Sequence, residues 1–278
     1  MDLLVILLAI PLGLVVGGFV TMLVDRVPDR TPLSMGSRCP FCEHHLGVAE
    51  VVPVVSWFVR KGRCRHCGDR ITPAYPAVEL ATMGLWVAAA AHYGWHWTLL
   101  PPLVLVTAAV ALSVIDLYTF RLPNRLVFGS TVLSLVAIMG AAFGLDRPTA
   151  IGKALAGMLL YSGILFVLHL ISPRSLAFGD VKFALLLGLH LGWAAGSVWV
   201  GWTPVFQLVF YVILGSFLMF GVIGLLVAVI GQRLQRDLLP DPDAEGSAPT
   251  RVSAKALPFG PAMAVATVAV VFFADSFV

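Results

Sequence analysis

Ser175-Leu176-Ala177-Phe178-Gly179-Asp180-Val181-Lys182-Phe183 joins two long apolar runs, 150–171 and 181–202, and sets a carboxylate at the mouth of the second. An ionisable group at membrane depth is costly unless something uses it, so Asp180 reads first as a functional residue. Gly179 removes the side chain beside it and leaves room for another backbone to come close. A second acid, Asp116, ends an earlier apolar run in Ser113-Val114-Ile115-Asp116-Leu117-Tyr118-Thr119-Phe120-Arg121-Leu122-Pro123-Asn124. The expectation is that these two aspartates meet in space.

The rest of the chain makes such a meeting a membrane problem. Its 278 residues are 59% hydrophobic and only 12% charged, with a mean hydropathy of +0.93. A soluble domain carries roughly 25% charged residues, so the fold class is an all-α polytopic membrane protein. The net charge of +3 is small and calls for no nucleic-acid partner. Lys and Arg gather in a few loops rather than along a helix face.

The first apolar run, 3–24, is long enough to cross a hydrocarbon core of roughly 30 Å. A cleaved signal peptide is disfavoured, because no basic region precedes the run and Arg26 follows it. Further runs at about 77–94, 98–115, 126–143, 150–172, 181–202, 205–231 and 257–277 bring the expectation to about eight transmembrane helices. Gly201-Trp202-Thr203-Pro204 divides two of them, since Gly and Pro interrupt helices and Trp favours the interface. Eight spans put 25–76, 116–125, 173–180 and 232–256 on one side. Those loops and their flanks hold every Lys and Arg except Arg147 and Lys153, so that side is predicted to be cytoplasmic. The expected organisation is a first transmembrane helix (1–24), a cytoplasmic cysteine-bearing loop (25–76) and a transmembrane core (77–278). Residues 237–250 read as a flexible acidic linker.

All four cysteines fall in the loop, as Cys39-Pro40-Phe41-Cys42 and Cys64-Arg65-His66-Cys67. Each CxxC can bend into a knuckle aiming two thiolates at one point, and two knuckles supply a tetrahedral site for structural Zn²⁺. A pair of disulfides and a redox CxxC are the competing readings; the reducing cytoplasm argues against the first, and the second needs no second pair. His44, His45 and His66 share this loop as substitute ligands. His169 and His190 fall within predicted helices and read as packed side chains. His92 and His96, with Tyr93, Trp95 and Trp97, look like an interfacial aromatic belt.

The aspartates admit a bland reading as helix caps, because Asp180 precedes an apolar run. Asp116 follows its run, where a negative charge meets the unfavourable dipole end. The sharper reading is a catalytic dyad. Two close carboxylates share a proton, so one can activate water while the other protonates the carbonyl oxygen or leaving group. A transporter or scaffold using both acids for cation or proton binding is the alternative from another class, although such sites sit near the bilayer midplane.

At this point the chain resembles the type IV prepilin peptidases, bifunctional leader peptidases and N-methyltransferases of the GxGD aspartyl protease class. The likeness runs from Gly18-Phe19-Val20-Thr21-Met22 and Asp25-Arg26-Val27-Pro28, through the CxxC pairs that flank Val52-Pro53-Val54-Val55-Ser56-Trp57, to Tyr75-Pro76-Ala77-Val78-Glu79-Leu80. It continues with Ile115-Asp116, Leu122-Pro123-Asn124, Phe178-Gly179-Asp180-Val181-Lys182 and Leu257-Pro258-Phe259-Gly260-Pro261. Ala177 stands where the class has its first glycine, and Asn124 where many members carry an acid. The resemblance implies Asp116 and Asp180 as catalytic residues and Cys39, Cys42, Cys64 and Cys67 as zinc ligands. It further implies S-adenosylmethionine as methyl donor, although no glycine-rich nucleotide loop is found for it. The implied substrates are prepilins or pseudopilins with basic leader peptides, cut at the cytoplasmic face of the bacterial inner membrane. A peptidase without methyltransferase activity is the nearest variant of this reading.

Overall fold

The computed structural model describes residues 3–39, 41–173, 176–238 and 258–274. Its elements are α1 (Leu3–Arg26), α2 (Val55–Val59), α3 (Ala74–Tyr93), α4 (Leu100–Thr119), α5 (Asn124–Gly144), α6 (Thr149–Ile171), α7 (Phe178–Val198), α8 (Thr203–Leu238) and α9 (Gly260–Phe272). Among the described residues seven helices are long and apolar enough to cross a membrane, namely α1, α3, α4, α5, α6, α7 and the first 24 residues of α8. The eighth expected span is shorter than predicted: α9 has 13 residues. The break expected at 201–204 is present, and most of the predicted acidic linker lies outside the described residues.

Helix α7 is the hub. Buried residues make up 78% of its apolar window, against 22–50% for the other spans. Such a helix needs partners on all sides, and α4, α5, α6, α8 and α9 all pack against it. The approach of α6 is the tightest: a Cβ at Gly192 would lie 2.0 Å from the Lys153 carbonyl oxygen, so only glycine fits there. Leu105 and Leu112 of α4, Phe183 and Leu187 of α7, Leu208 of α8 and Met263 of α9 share one buried cluster. Helices α1 and α3 pack on each other and touch the bundle through α4.

The two basic residues that escape the loops have a local explanation. Lys153 donates to the carbonyls of Trp199 and Val200, and Arg147 donates to Ser197. Both cations therefore sit on unpaired carbonyls at the C-terminal end of α7, where the helix dipole favours positive charge. That end lies roughly 28 Å along α7 from Asp180, at 1.5 Å per residue.

Candidate active site and candidate metal centre

Asp180 is the third residue of α7 and 5% exposed. It is not a helix cap. Ala177 occupies that position with no side-chain cap bond, and the Asp180 N–H donates to the Ala177 carbonyl at 3.0 Å. Asp116 lies one turn before the end of α4 and is 6% exposed. The helix runs past it to Thr119 and closes at Phe120, whose N–H donates to the Asp116 carbonyl from a left-handed conformation. Both acids are thus inside helices, where the apolar runs alone had placed them on the flanks.

The segments around the two acids meet. Lys182 Nζ donates to Asn124 Oδ1 at 2.9 Å and lies 4.7 Å from the centre of the Phe178 ring. The position of a Cβ at Gly179 is 3.5 Å from the Leu122 side chain. That is ordinary contact with a side chain, so Gly179 does not admit a second backbone as the sequence suggested. The helices that carry the two acids, α4 and α7, also pack against each other.

The close backbone approach is made at Gly260 instead. Its N–H donates to Asp116 Oδ2 at 3.2 Å, across 144 residues of sequence. A Cβ on Gly260 would lie 2.6 Å from that oxygen. Asp116 is therefore paired with the N-terminus of α9, whose dipole favours a carboxylate, and this offsets its poor position on α4. Sequence reasoning assigned Gly260 no role. The signal available was the Leu257-Pro258-Phe259-Gly260-Pro261 motif, which contributes to the family likeness and names no contact with Asp116.

The cysteines form the second centre. Their four sulfurs all lie within 4.8 Å of one another, with Cys39–Cys67 at 3.8 Å and Cys42–Cys64 at 4.0 Å. All four are free thiols. A tetrahedral Zn²⁺ with bonds of about 2.3 Å sets sulfur–sulfur edges of about 3.8 Å, so the donor set fits that ion. The two knuckles have the same build. Cys39 N–H donates to the His44 carbonyl and Cys64 N–H to that of Asp69, at 3.0 and 2.9 Å. Antiparallel bridges Arg38–His45 and Arg63–Arg70 close them, and each turns through a left-handed residue, Glu43 or Gly68. Backbone N–H groups of Cys67 and His66 aim at Cys64 and bring its thiol down to about 7, whereas burial and the neighbouring thiols push those of Cys42 and Cys67 up. His44 and His66 stack ring on ring, 3.4 Å between centres, and the described metal-ligand cluster contains cysteines alone. His169 Nδ1 pairs with the Leu176 carbonyl at 2.8 Å and His190 Nε2 with Ser134 Oγ at 2.9 Å, so both are packed residues as expected.

Between α1, α3 and the knuckles lies a cavity of about 330 Å³ lined by Thr21, Asp25, Trp57, Arg60, Tyr75 and Glu79 among others. Tyr75 donates its hydroxyl to Asp25 at 2.9 Å. Glu79 is 8% exposed and accepts the Val54 N–H at 2.6 Å. The acid was visible inside the run 77–94, and nothing in the apolar pattern said what it would meet.

Comparison with known proteins gives two family matches, the bacterial peptidase A24 N-terminal domain over residues 12–93 and the type IV leader peptidase family over 103–226. The chain is 38% identical over 190 residues to the prepilin leader peptidase/N-methyltransferase of Myxococcus xanthus, covering 66% of this chain and 55% of that protein. It is 33% identical over 184 residues to the protein of that name in Bacillus subtilis, covering 65% and 71%. The match to the Stutzerimonas stutzeri protein is 27% identical over 288 residues and covers 94% and 88%. No solved structure matches.

Proposed function

Since the chain belongs to the type IV leader peptidase family, we propose that it cleaves the leaders of prepilin-like substrates with Asp116 and Asp180 and methylates the new N-terminus. The observation that carries this reading is the pair of buried aspartates on separate helices, in segments held together by the Lys182–Asn124 bond. One carboxylate takes a proton from water as the oxygen attacks the scissile carbonyl. The protonated partner gives its proton to the departing amine, and the peptide bond breaks to a carboxylic acid and a new amino terminus. The Gly260 N–H holds Asp116 in place for this exchange.

Placement supports a cytoplasmic reaction at the inner membrane. The aspartates, the cysteine knuckles and most Lys and Arg belong to one end of the helices, which the positive-inside rule assigns to the cytoplasm. The three-part organisation, with residues 25–76 as a zinc-folded insertion, belongs to the same proposal. Cys39, Cys42, Cys64 and Cys67 would hold one structural Zn²⁺, whose chemistry there is to fold the loop. When bound, S-adenosylmethionine supplies the methyl group. The cavity above fits a small ligand in size; its Asp25 and Glu79 suit the cationic sulfonium, and Arg26, Arg38, Arg60 and Arg63, which line the same cavity, suit the carboxylate of that molecule.

The test is co-expression with a prepilin followed by mass measurement of its N-terminus. The expected product lacks the basic leader and is heavier by one methyl group. A leader left intact by folded, membrane-inserted enzyme overturns the peptidase reading; a cleaved but unmethylated product overturns only the second activity.

A further inference from the structure

The loop expected to stand wholly in the cytoplasm contains an apolar stretch, Val51-Val52-Pro53-Val54-Val55-Ser56-Trp57-Phe58-Val59, framed by Glu50 and Arg60. Its position is fixed by two contacts with the transmembrane helices. The Cβ position of Gly18 on α1 lies 3.0 Å from Pro53 Cγ, and the Val54 N–H donates to Glu79 of α3. Gly18 is eight residues before the end of α1 and Glu79 five residues after the start of α3. At 1.5 Å per residue these contacts lie about 12 and 8 Å below the helix ends. The chain thus leaves α1, folds the first knuckle, dips back beside the two helices and returns for the second knuckle.

The dipping segment is two-faced. Val51, Val52, Val55, Phe58 and Val59 are 40–75% exposed, the last three on the short helix α2 and the first two in the bend that precedes it. The opposite face carries Trp57, whose indole N–H donates to the Ile71 carbonyl at 3.1 Å. Several backbone N–H groups of the segment are paired, as membrane depth favours. Besides the Val54–Glu79 bond, Ser56 N–H pairs with Val52, Phe58 N–H with Val54, and Gly62 N–H with Trp57. Val54 adopts φ 62°, an outlier for a β-branched residue. The Glu79 carboxylate accepts the N–H of that strained turn.

We propose that residues 51–59 form a re-entrant segment that buries Val55, Phe58 and Val59 among the acyl chains of the leaflet next to the cysteine knuckles. The occupant of the exposed face is lipid, because both helices that grip the segment cross that bilayer and Val15 and Phe19 beside Gly18 are themselves exposed to it. Arg60 and Lys61 follow at the point where the segment climbs out, the position that suits basic side chains at a headgroup layer. Cavity-lining Glu79 and the cysteine centre are thereby tied to the membrane plane through one short loop.

The experiment uses the zinc-loaded full chain in phosphatidylcholine–phosphatidylglycerol vesicles. A genetically encoded environment-sensitive fluorophore replaces Phe58 or Val59, both outward-facing, and a third variant carries it at Glu43 on the first knuckle. Lipids brominated near the carbonyl end of their chains should remove more than half of the emission at positions 58 and 59 and leave position 43 bright. Absence of quenching at 58 and 59, with zinc content unchanged, overturns the insertion. Equal quenching at 43 also overturns it, since the whole loop then rests on the surface. Emission unaffected by brominated lipid but shifted to the blue by a prepilin transmembrane peptide assigns the face to a substrate helix instead.

Discussion

Cys39 and Cys67 are 28 residues apart in sequence and 3.8 Å apart at sulfur, inside a loop whose two knuckles each close on themselves. Asp116 meets Gly260 across 144 residues, and only because α4, α7 and α9 pack together. The cysteine centre is made of local turns and, among the described residues, has no large apolar core of its own. The aspartate site is made of helix ends and has the whole bundle as its scaffold. Damage should therefore stay on the side where it is inflicted. One centre has a cysteine set that suits a metal, and side-chain packing holds the other.

The largest effect expected is at the aspartates. Asp116→Asn and Asp180→Asn should each lower prepilin cleavage by ~10³-fold or more, because an amide can neither accept nor release the required proton. The double variant should be little worse than either single one, as for groups acting as a unit. Zinc content should not change in any of the three. Near-normal cleavage by correctly inserted Asp116→Asn protein would remove the peptidase assignment for this pair.

Gly260→Ala sharpens the comparison from the bundle side. All three atoms closest to the added methyl group belong to Asp116, the nearest at 2.6 Å. The carboxylate must move while the helices need not. Misplacement of a reacting group by about 1 Å can cost about 10²-fold, so kcat should fall by that order with little change in thermal stability. A variant that cleaves normally would show that the α9 N-terminus does not position Asp116.

Removing the metal probes the other side. Binding of structural Zn²⁺ contributes about 10–16 kcal/mol in comparable small sites, more than so short a loop can replace. Cys39→Ser or Cys64→Ser should lose the zinc measured by elemental analysis and expose the loop to protease. Cleavage should fall by less than an order of magnitude, whereas methylation, placed beside the cavity, should fail. Loss of cleavage as complete as in Asp180→Asn would mean that the two regions are one machine.

The same division explains what was legible in the sequence. Hydropathy located the helices, and Gly201-Trp202-Thr203-Pro204 marked the break between α7 and α8. It placed the helix ends too early or too late because polar motif residues sit inside the helices. Phe178-Gly179-Asp180 belongs to α7 and Leu117-Tyr118-Thr119 to α4. The cysteine cluster could be read from spacing, since the knuckle is a local turn. The Gly260 contact could not, because nothing near Asp116 names a partner 144 residues away. The dip at 51–59 was hidden by eight basic residues in the surrounding loop, whose charge makes the average polar while a nine-residue stretch within it is not.

The smallest effect expected lies at the edge of that stretch. Glu50 pairs with Arg60 across it and accepts the Gly47 N–H at 2.9 Å. The Arg60 guanidinium, donating to the carboxylate, and then the Gly47 N–H bring Glu50 down to about 2 from an ordinary value of 4.5. A carboxylate lowered on folding stabilises the fold above its unfolded value, so the contribution is complete above about pH 4.5 and is lost as the pH falls toward 2. The pair is partly buried, 9% exposed at the Glu50 side chain and 22% at Arg60, but it sits far from the aspartates, so Glu50→Gln should leave cleavage intact and loosen only the frame of the dipping segment. Amide hydrogen exchange across 51–61 should be modestly faster in the variant at neutral pH. Wild type and variant are compared at each pH, so that proton competition for the zinc thiolates affects both. Their difference should narrow below about 4.5. A difference that persists unchanged well below that value would show that the Glu50 carboxylate, and with it the Arg60 pair, does not hold the segment in place.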